Sequence, residues 1–328
     1  MKPKVVLIAT GGTIASRYDP ELGRAVASQK AEDLVGMVPG LNDVADVELD
    51  NFKVVPSFDA SVGFVVGIAD RINATLARDD VAGVVVTQGT DTMEETSYLA
   101  DLLLAADKPA VFTGAQRTHD DPQPDGPHNI LDAVRVASSP EARGLGAVIC
   151  FNEQIHAARD VTKVHTNALQ TFQSYDHGAL GQVDGDRVVI HRRPTLRRQF
   201  TIQDLEERVT LIRLSLGFDV GLVHAALDAG AAGLVIEGFG RGNGPTALTE
   251  AVRRAVGAGI PLVVASRCPF GRVKPIYGGG GGGRDLEDAG AIFAGDLKGP
   301  KARLLLIVLL SNPETKGRVA EIFREVAP

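Results

Sequence analysis

Apolar runs of strand length alternate with helix-length segments through most of the chain. The runs at 5–9, 81–86, 110–113 and 146–151 are short, continuous and bounded by turn residues, the form of strands buried on both faces. Between the second and third lies 93–105, where Glu94, Glu95 and Asp101 are polar and Tyr98, Leu99, Leu102 and Leu103 apolar, a helical period. The stretch 129–138 reads as another helix. This βαβ alternation predicts a mostly parallel sheet with right-handed crossovers. Val183-Asp184-Gly185-Asp186-Arg187-Val188 predicts a short hairpin.

Past position 190 the pattern breaks. Segment 191–208 carries clustered arginines, a proline and few apolar residues, so it reads as a linker. A second alternating block follows, with runs at 209–216, 220–229, 233–237, 247–256 and 262–266 and a helical stretch near 303–310. The expected fold class is α/β, with a larger N-terminal catalytic domain at 1–190 and a smaller C-terminal domain at 209–328. Each is expected to be a mostly parallel sheet flanked by helices. Six consecutive glycines at 278–283 cannot hold one backbone conformation cheaply, which predicts a mobile loop.

Composition narrows the function classes. At 328 residues the chain exceeds one ordinary domain. Its 44% hydrophobic and 23% charged content is that of a soluble globular protein. A net charge of −7 argues against nucleic acid as a partner. No run is long enough to span a bilayer, so no membrane partner is expected. Residues 1–9 lead into a strand without an export-leader pattern, which predicts a cytoplasmic enzyme. Cys150 and Cys268 each end an apolar run and read as buried thiols.

Two strands run straight into turns that carry threonine. The first is Val5-Val6-Leu7-Ile8-Ala9-Thr10-Gly11-Gly12-Thr13-Ile14-Ala15, the second Val84-Val85-Val86-Thr87-Gln88-Gly89-Thr90-Asp91-Thr92-Met93-Glu94-Glu95-Thr96. In an open α/β sheet such turns lie at the carboxyl ends of strands, where ligands bind. Gly11-Gly12 also serves as a plain tight turn, but neither dinucleotide nor P-loop glycine spacing is present there. Gly238-Phe239-Gly240-Arg241-Gly242 fails the same spacing. Paired hydroxyls therefore point to a threonine nucleophile more than to a cofactor cradle.

The second turn has a structural reading as well: Asp91 or Thr92 as helix N-cap, with Glu94 or Glu95 completing a capping box. An ionised Asp91 beside Thr90 would also orient a lysine. Lys163, in Arg159-Asp160-Val161-Thr162-Lys163, is a candidate, although a lone lysine there reads as a solvated surface charge. A lysine that acts as base must be neutral, which needs burial or a nearby cation. His119, Asp120, Asp121, Asp125 and His128 cluster along the chain, but three interleaved prolines favour a surface loop over a metal site. No Gly-x-Ser-x-Gly elbow is present.

The two threonine turns, together with Thr113-Gly114-Ala115-Gln116-Arg117, Asp125-Gly126-Pro127 and Arg159–Lys163, resemble the bacterial-type L-asparaginase and glutaminase-asparaginase family in order and spacing. Asp33-Leu34-Val35 and Lys301-Ala302-Arg303 extend the likeness over nearly the whole chain. The resemblance implies an enzyme of amino-acid metabolism, an amidohydrolase converting L-asparagine to L-aspartate and ammonia without metal or organic cofactor. It also implies a homotetramer built from intimate dimers. It assigns Thr13 as nucleophile and Thr90, Asp91 and Lys163 as the second catalytic group. Ser57 and Asp91 would hold the carboxylate and amine ends of the substrate, with Gly12 and Gly89 backbone groups nearby. Asn243 resembles the asparagine that a neighbouring subunit lends to the site.

Three positions depart from the family pattern. The usual loop tyrosine falls at Arg24, and Tyr18 is the only tyrosine in that loop. The residue after Ser57, normally glutamine or glutamate, is Phe58. The acidic residue of the second domain falls near Gly283, with Asp285 and Glu287 as the nearest acids. These departures leave open L-glutamine, D-asparagine or an N-substituted amide as substrate, or a non-catalytic member that senses an amino acid. An amidotransferase subunit would be expected to carry a further N-terminal module, whereas residue 5 already begins the first strand.

Overall fold

A computed structural model describes residues 2–19, 22–27, 35–36 and 38–327; Asp33 and Leu34 of the early motif lie outside the described residues. The chain divides into two compact units, Met1–Thr195 and Leu196–Pro328.

In the first unit β1 (Lys4–Ala9), β4 (Asp46–Asn51), β5 (Val81–Thr87), β6 (Ala110–Thr113) and β7 (Ala147–Phe151) are parallel. β8 (Gln154–Ala157), β11 (Gly181–Asp184) and β12 (Arg187–Ile190) extend the sheet antiparallel, the last two as the expected hairpin. The order is β12-β11-β8-β7-β6-β5-β1-β4. Val5, Val6, Leu7 and Ile8 are buried on both faces of the sheet, which is why β1 reads as an unbroken apolar run. Alternate residues Val5, Leu7 and Ala9 share a core with Ile130, Ala133, Val134 and Ala137 of α3 (Gly126–Ser138). α1 (Val62–Leu76) packs on β5 and on α2 (Met93–Leu103).

From β1 the chain goes to β4 on one side and returns to β5 on the other. The strand order therefore reverses between β1 and β5, the topological switch point at which α/β sheets open a crevice. Both threonine turns leave their strands there.

A short hairpin, β2 (Ser16–Asp19) and β3 (Arg24–Ala27), follows the first turn and pairs Tyr18 with Ala25 and Arg24 with Asp19. A two-stranded ladder of β9 (Thr162–Lys163) and β10 (Phe172–Gln173) lies further on.

The second unit is a four-stranded parallel sheet, β13 (Val209–Arg213), β14 (Gly233–Gly238), β15 (Leu262–Ser266) and β16 (Ile292–Phe293) in spatial order. α4 (Gly221–Asp228), α5 (Thr246–Gly257) and α6 (Gly283–Asp288) supply residues to its core, and α7 (Gly299–Leu310) is buried along most of its length.

Three expectations are corrected. The helix read from 129 begins at Gly126, with Pro127 in its first turn, where a missing N–H costs nothing. Cys268 is exposed, unlike Cys150, because it lies beyond the end of β15. The glycine run at 278–283 is tied down rather than mobile. Asp285 Oδ2 accepts the N–H groups of Gly280 (2.7 Å) and Gly282 (3.0 Å), and Gly281 O accepts from Gly244 N. A Cβ on Gly281 would stand 2.7 Å from the Pro245 carbonyl carbon, so glycine is needed for close approach there.

Candidate active site

The first turn is set by Thr10, whose N–H and hydroxyl both donate to Thr87 O, at 3.0 and 2.9 Å. This ties the end of β1 to the end of β5. Gly11 and Gly12 then adopt φ of +99° and +100°, a region that disfavours any Cβ. A Cβ on Gly12 would stand 2.7 Å from Gly89 Cα, so the backbones of the two turns touch. Thr13 follows at the start of a 3₁₀ turn (Thr13–Ala15), half-buried, while Ile14 anchors the turn in the core beside Ala115 and Ile130. Among the described residues Thr13 makes no side-chain hydrogen bond, and it is joined to the Thr90 group through the Gly12–Gly89 contact.

Ser57 closes the other side of Gly89. It opens a 3₁₀ turn (Ser57–Asp59), is buried, and a Cβ on Gly89 would stand 2.6 Å from its Oγ. Asp91 N donates to Ser57 Oγ (3.3 Å), and Thr92 Oγ1 donates to Ser57 O (2.7 Å). Phe58, the next residue, is 78% exposed.

The ladder β9–β10 supplies the lysine. Phe172, buried edge-on against Phe151, pairs with Lys163 across the ladder and fixes its register. Lys163 Nζ lies 2.8 Å from Thr90 Oγ1 and 2.7 Å from Asp91 Oδ1. Its side chain is 16% exposed, against 56% for Asp91. The reading of Lys163 as a solvated surface charge is thus overturned. Gln116 Nε2 stands 3.5 Å from Thr90 Oγ1 on the side of the 114–117 loop. That loop is held by Asp125, whose carboxylate accepts the N–H groups of Gln116 and Arg117 at 3.0 Å each, and by Asn129, which donates to Gly114 O.

The capping box does not form. Thr92 is the N-cap of α2 without a side-chain cap bond, because its hydroxyl is turned to Ser57 O. The Glu94 carboxylate instead accepts the backbone N–H of Lys163 at 2.6 Å. Burial, then the Glu94 charge, push the Tyr175 phenol above its usual range.

The clustered acids and histidines near 119–128 do not converge. Asp125 faces backbone N–H groups, and His128 faces Asp132 (3.2 Å) and Glu153 (3.4 Å). Among the described residues no three His, Cys, Asp or Glu side chains gather as a metal-ion site, and no helix is long and apolar enough to cross a membrane.

The structure thus brings Gly12, Ser57, Gly89, Thr90, Asp91 and Lys163 together, with Thr13 next in chain and Phe58 beside Ser57. Within the second unit, Asn243 Oδ1 accepts from Gly283 N (3.0 Å), Asp285 is turned onto the glycine run, and Glu287 pairs with Arg284. For Tyr18 and Arg24 only the backbone pairing in β2–β3 is described. Gln116 and Glu94 were not read from sequence as members of this group. Gln116 belongs to the Thr113–Arg117 motif, but nothing local shows its reach, and an acid in the first turn of a helix has a sufficient local explanation in the helix dipole.

Comparison with known proteins shows the family. The profile described as Asparaginase, N-terminal matches residues 4–196, and that of the Glutaminase/Asparaginase C-terminal domain matches 208–323. A probable L-asparaginase of Deinococcus radiodurans is 38% identical over 327 residues, covering 98% of each chain. An L-asparaginase of Bacillus licheniformis is 35% identical, covering 95% of this chain and 97% of its own. The crystal structure of a probable cytoplasmic L-asparaginase from Campylobacter jejuni superposes with a TM-score of 0.88 at 28% identity, covering 99% of this chain and 100% of that one. The chain belongs to the asparaginase/glutaminase family of amidohydrolases.

Proposed function

We propose that the enzyme hydrolyses L-asparagine to L-aspartate and ammonia, with Thr13 as nucleophile. The observation that carries this reading is Lys163 Nζ bonded at once to Thr90 Oγ1 and Asp91 Oδ1. An amine held between a hydroxyl and a carboxylate is placed to exchange protons with that hydroxyl or with a water on it. In the first half-reaction Thr13 Oγ bonds to the side-chain amide carbon and the C–N bond breaks. Ammonia leaves with the Thr13 hydroxyl proton, and an ester remains. In the second half-reaction water adds to the ester carbon, with the Thr90–Lys163 pair taking its proton. The bond to Thr13 oxygen then breaks as that oxygen is reprotonated. The scheme needs fixed donors for the oxyanion where the Gly12 and Gly89 backbones meet. Ser57 and Asp91 hold the two charged ends of the substrate.

Phe58 favours a second reading. A ring rather than an oxygen stands beside Ser57, 78% exposed. Amides with a masked amine or an N-substituent suit that wall better than a free ammonium does. Release of ammonia or amine from L-asparagine, L-glutamine, D-asparagine and N-substituted asparagine, measured on the wild-type enzyme, separates the two. The highest kcat/KM is expected for L-asparagine. Turnover of another amide with none for L-asparagine would overturn the first reading.

The active assembly in this proposal is a homotetramer of intimate dimers in the cytoplasm, where Asn243 reaches a partner's site. Asn243 Oδ1 accepts from Gly283 N, so its amide NH₂ is the donor that this reading assigns to the partner's site. The cytoplasmic description of the Campylobacter protein supports the location. Full specific activity in a stable monomer, by light scattering and assay together, would rule out the assembly.

A further inference from the structure

The contact between Glu94 and Lys163 joins the first turn of α2 to β9 across 69 residues of sequence. At 2.6 Å it is a short, charge-assisted bond from a backbone N–H to a carboxylate. The same α2 turn follows directly on Thr90 and Asp91, the two partners of Lys163 Nζ. One end of Lys163 is therefore tied to the element that carries the partners of its other end. The ladder β9–β10 is only two residues long on each strand, so it cannot by itself set the lysine to a fraction of an ångström.

We infer that Glu94 is a positioning residue: by clamping the Lys163 main chain to the start of α2, it sets the distance from Lys163 Nζ to Thr90 Oγ1. The inference rests on the proposed role of Lys163. Glu94 touches no reacting atom in that scheme and acts only through the lysine.

Reach and charge can be separated by two conservative changes. Glu94→Asp keeps the carboxylate, and with it the favourable charge at a helix N-terminus, but draws the oxygen back by about 1.5 Å, one methylene, beyond hydrogen-bond range of Lys163 N. Glu94→Gln gives up the charge and keeps an acceptor oxygen at full reach. We expect Glu94→Asp to lower kcat for L-asparagine by at least about tenfold, with KM changed less than about threefold, because a catalytic group displaced by ~1 Å loses on that order of rate or more. Glu94→Gln should stay within about fivefold of wild type in kcat, even where its melting temperature is the lower of the two. A role confined to helix stability predicts the opposite ranking, and that result overturns the inference. Crystal structures of both variants read the geometry without recourse to activity. Lys163 Nζ should draw away from Thr90 Oγ1 in Glu94→Asp and hold its place in Glu94→Gln. An unmoved lysine in Glu94→Asp sinks the positioning role whatever the substrate is. A moved lysine in an enzyme with no turnover of L-asparagine would count against the proposed function alone.

Discussion

Gly12 presses on Gly89 so closely that a Cβ added to it would stand 2.7 Å from Gly89 Cα, at a φ of +100°. Two turns far apart in sequence are thereby held as one surface. Gly12→Ala must push them apart and also hold an L side chain in a disfavoured backbone region. We expect a loss of about 1–3 kcal/mol of stability from the overlap, with a further ~1 kcal/mol from the backbone. Turnover should fall at least roughly tenfold, since the Thr13 and Thr90 turns lose their spacing. Thermal denaturation and steady-state assay check this together. Unchanged kcat would show that the contact does not set the catalytic spacing.

The two hydroxyls are tested directly. Thr13→Ala and Thr90→Ala should each lower kcat by about a thousandfold or more, as loss of a nucleophile or a proton-transfer partner does. Thr90 also accepts the hydrogen bond from Lys163, so its removal disturbs the lysine as well. Near-wild-type ammonia release from purified Thr13→Ala would end its role as nucleophile.

These residues also mark what the sequence alone could say. Strand-then-turn is a local pattern, so Val5 to Thr13 and Val84 to Thr90 announce themselves. That they face each other follows only from the order of β4, β1 and β5. Lys163 stands 73 residues beyond Thr90; the turn chemistry makes it a candidate, but only the family resemblance gives it a catalytic role. Glu94 or Glu95 reads as the capping-box partner because an acidic residue in a first helical turn fits either use; the actual partner of Glu94 is a main-chain N–H with no side-chain signature. The glycine run looked mobile because composition carries no record of Asp285 folding back on it. Pro127 counts toward a surface loop in the sequence, yet it lies in the first turn of α3.

Glu237, buried near the end of β14, gives a pH-dependent prediction. Burial pushes its carboxyl above the ordinary range, and Arg213 at 3.4 Å only partly offsets this. The folded state therefore holds a proton that the unfolded state has released. Stability falls as pH rises from the ordinary carboxylate range through the raised folded value, and stays at the lower level above it. Glu237→Gln removes the charge while keeping an acceptor. It should melt higher than wild type at about pH 7, and the difference should close toward pH 4, near the unfolded value for glutamate. A variant that melts lower than wild type at pH 7 would mean that the Arg213 pairing outweighs burial.

Phe58 bears on substrate choice. Its ring is 78% exposed, so it does not pack inward, and it follows Ser57 directly in the chain. An ammonium desolvated there without a hydrogen-bond acceptor loses on the order of a few kcal/mol. Attraction to the ring face returns about 0.5–2 kcal/mol. Asp91, whose N–H meets Ser57 Oγ, is already shared with Lys163. The deficit should appear as weak binding of free L-asparagine. Phe58→Gln supplies an oxygen at an exposed position, where the change leaves the core intact, and should lower KM for L-asparagine several-fold with kcat little altered; ~1 kcal/mol of recovered hydrogen bonding corresponds to about fivefold. The same change should cost affinity for N-substituted or amine-masked amides, which gain from an apolar wall. Steady-state kinetics on both substrate classes decide the point: an unchanged or raised KM for L-asparagine in folded Phe58→Gln would mean that the ammonium does not sit against residue 58.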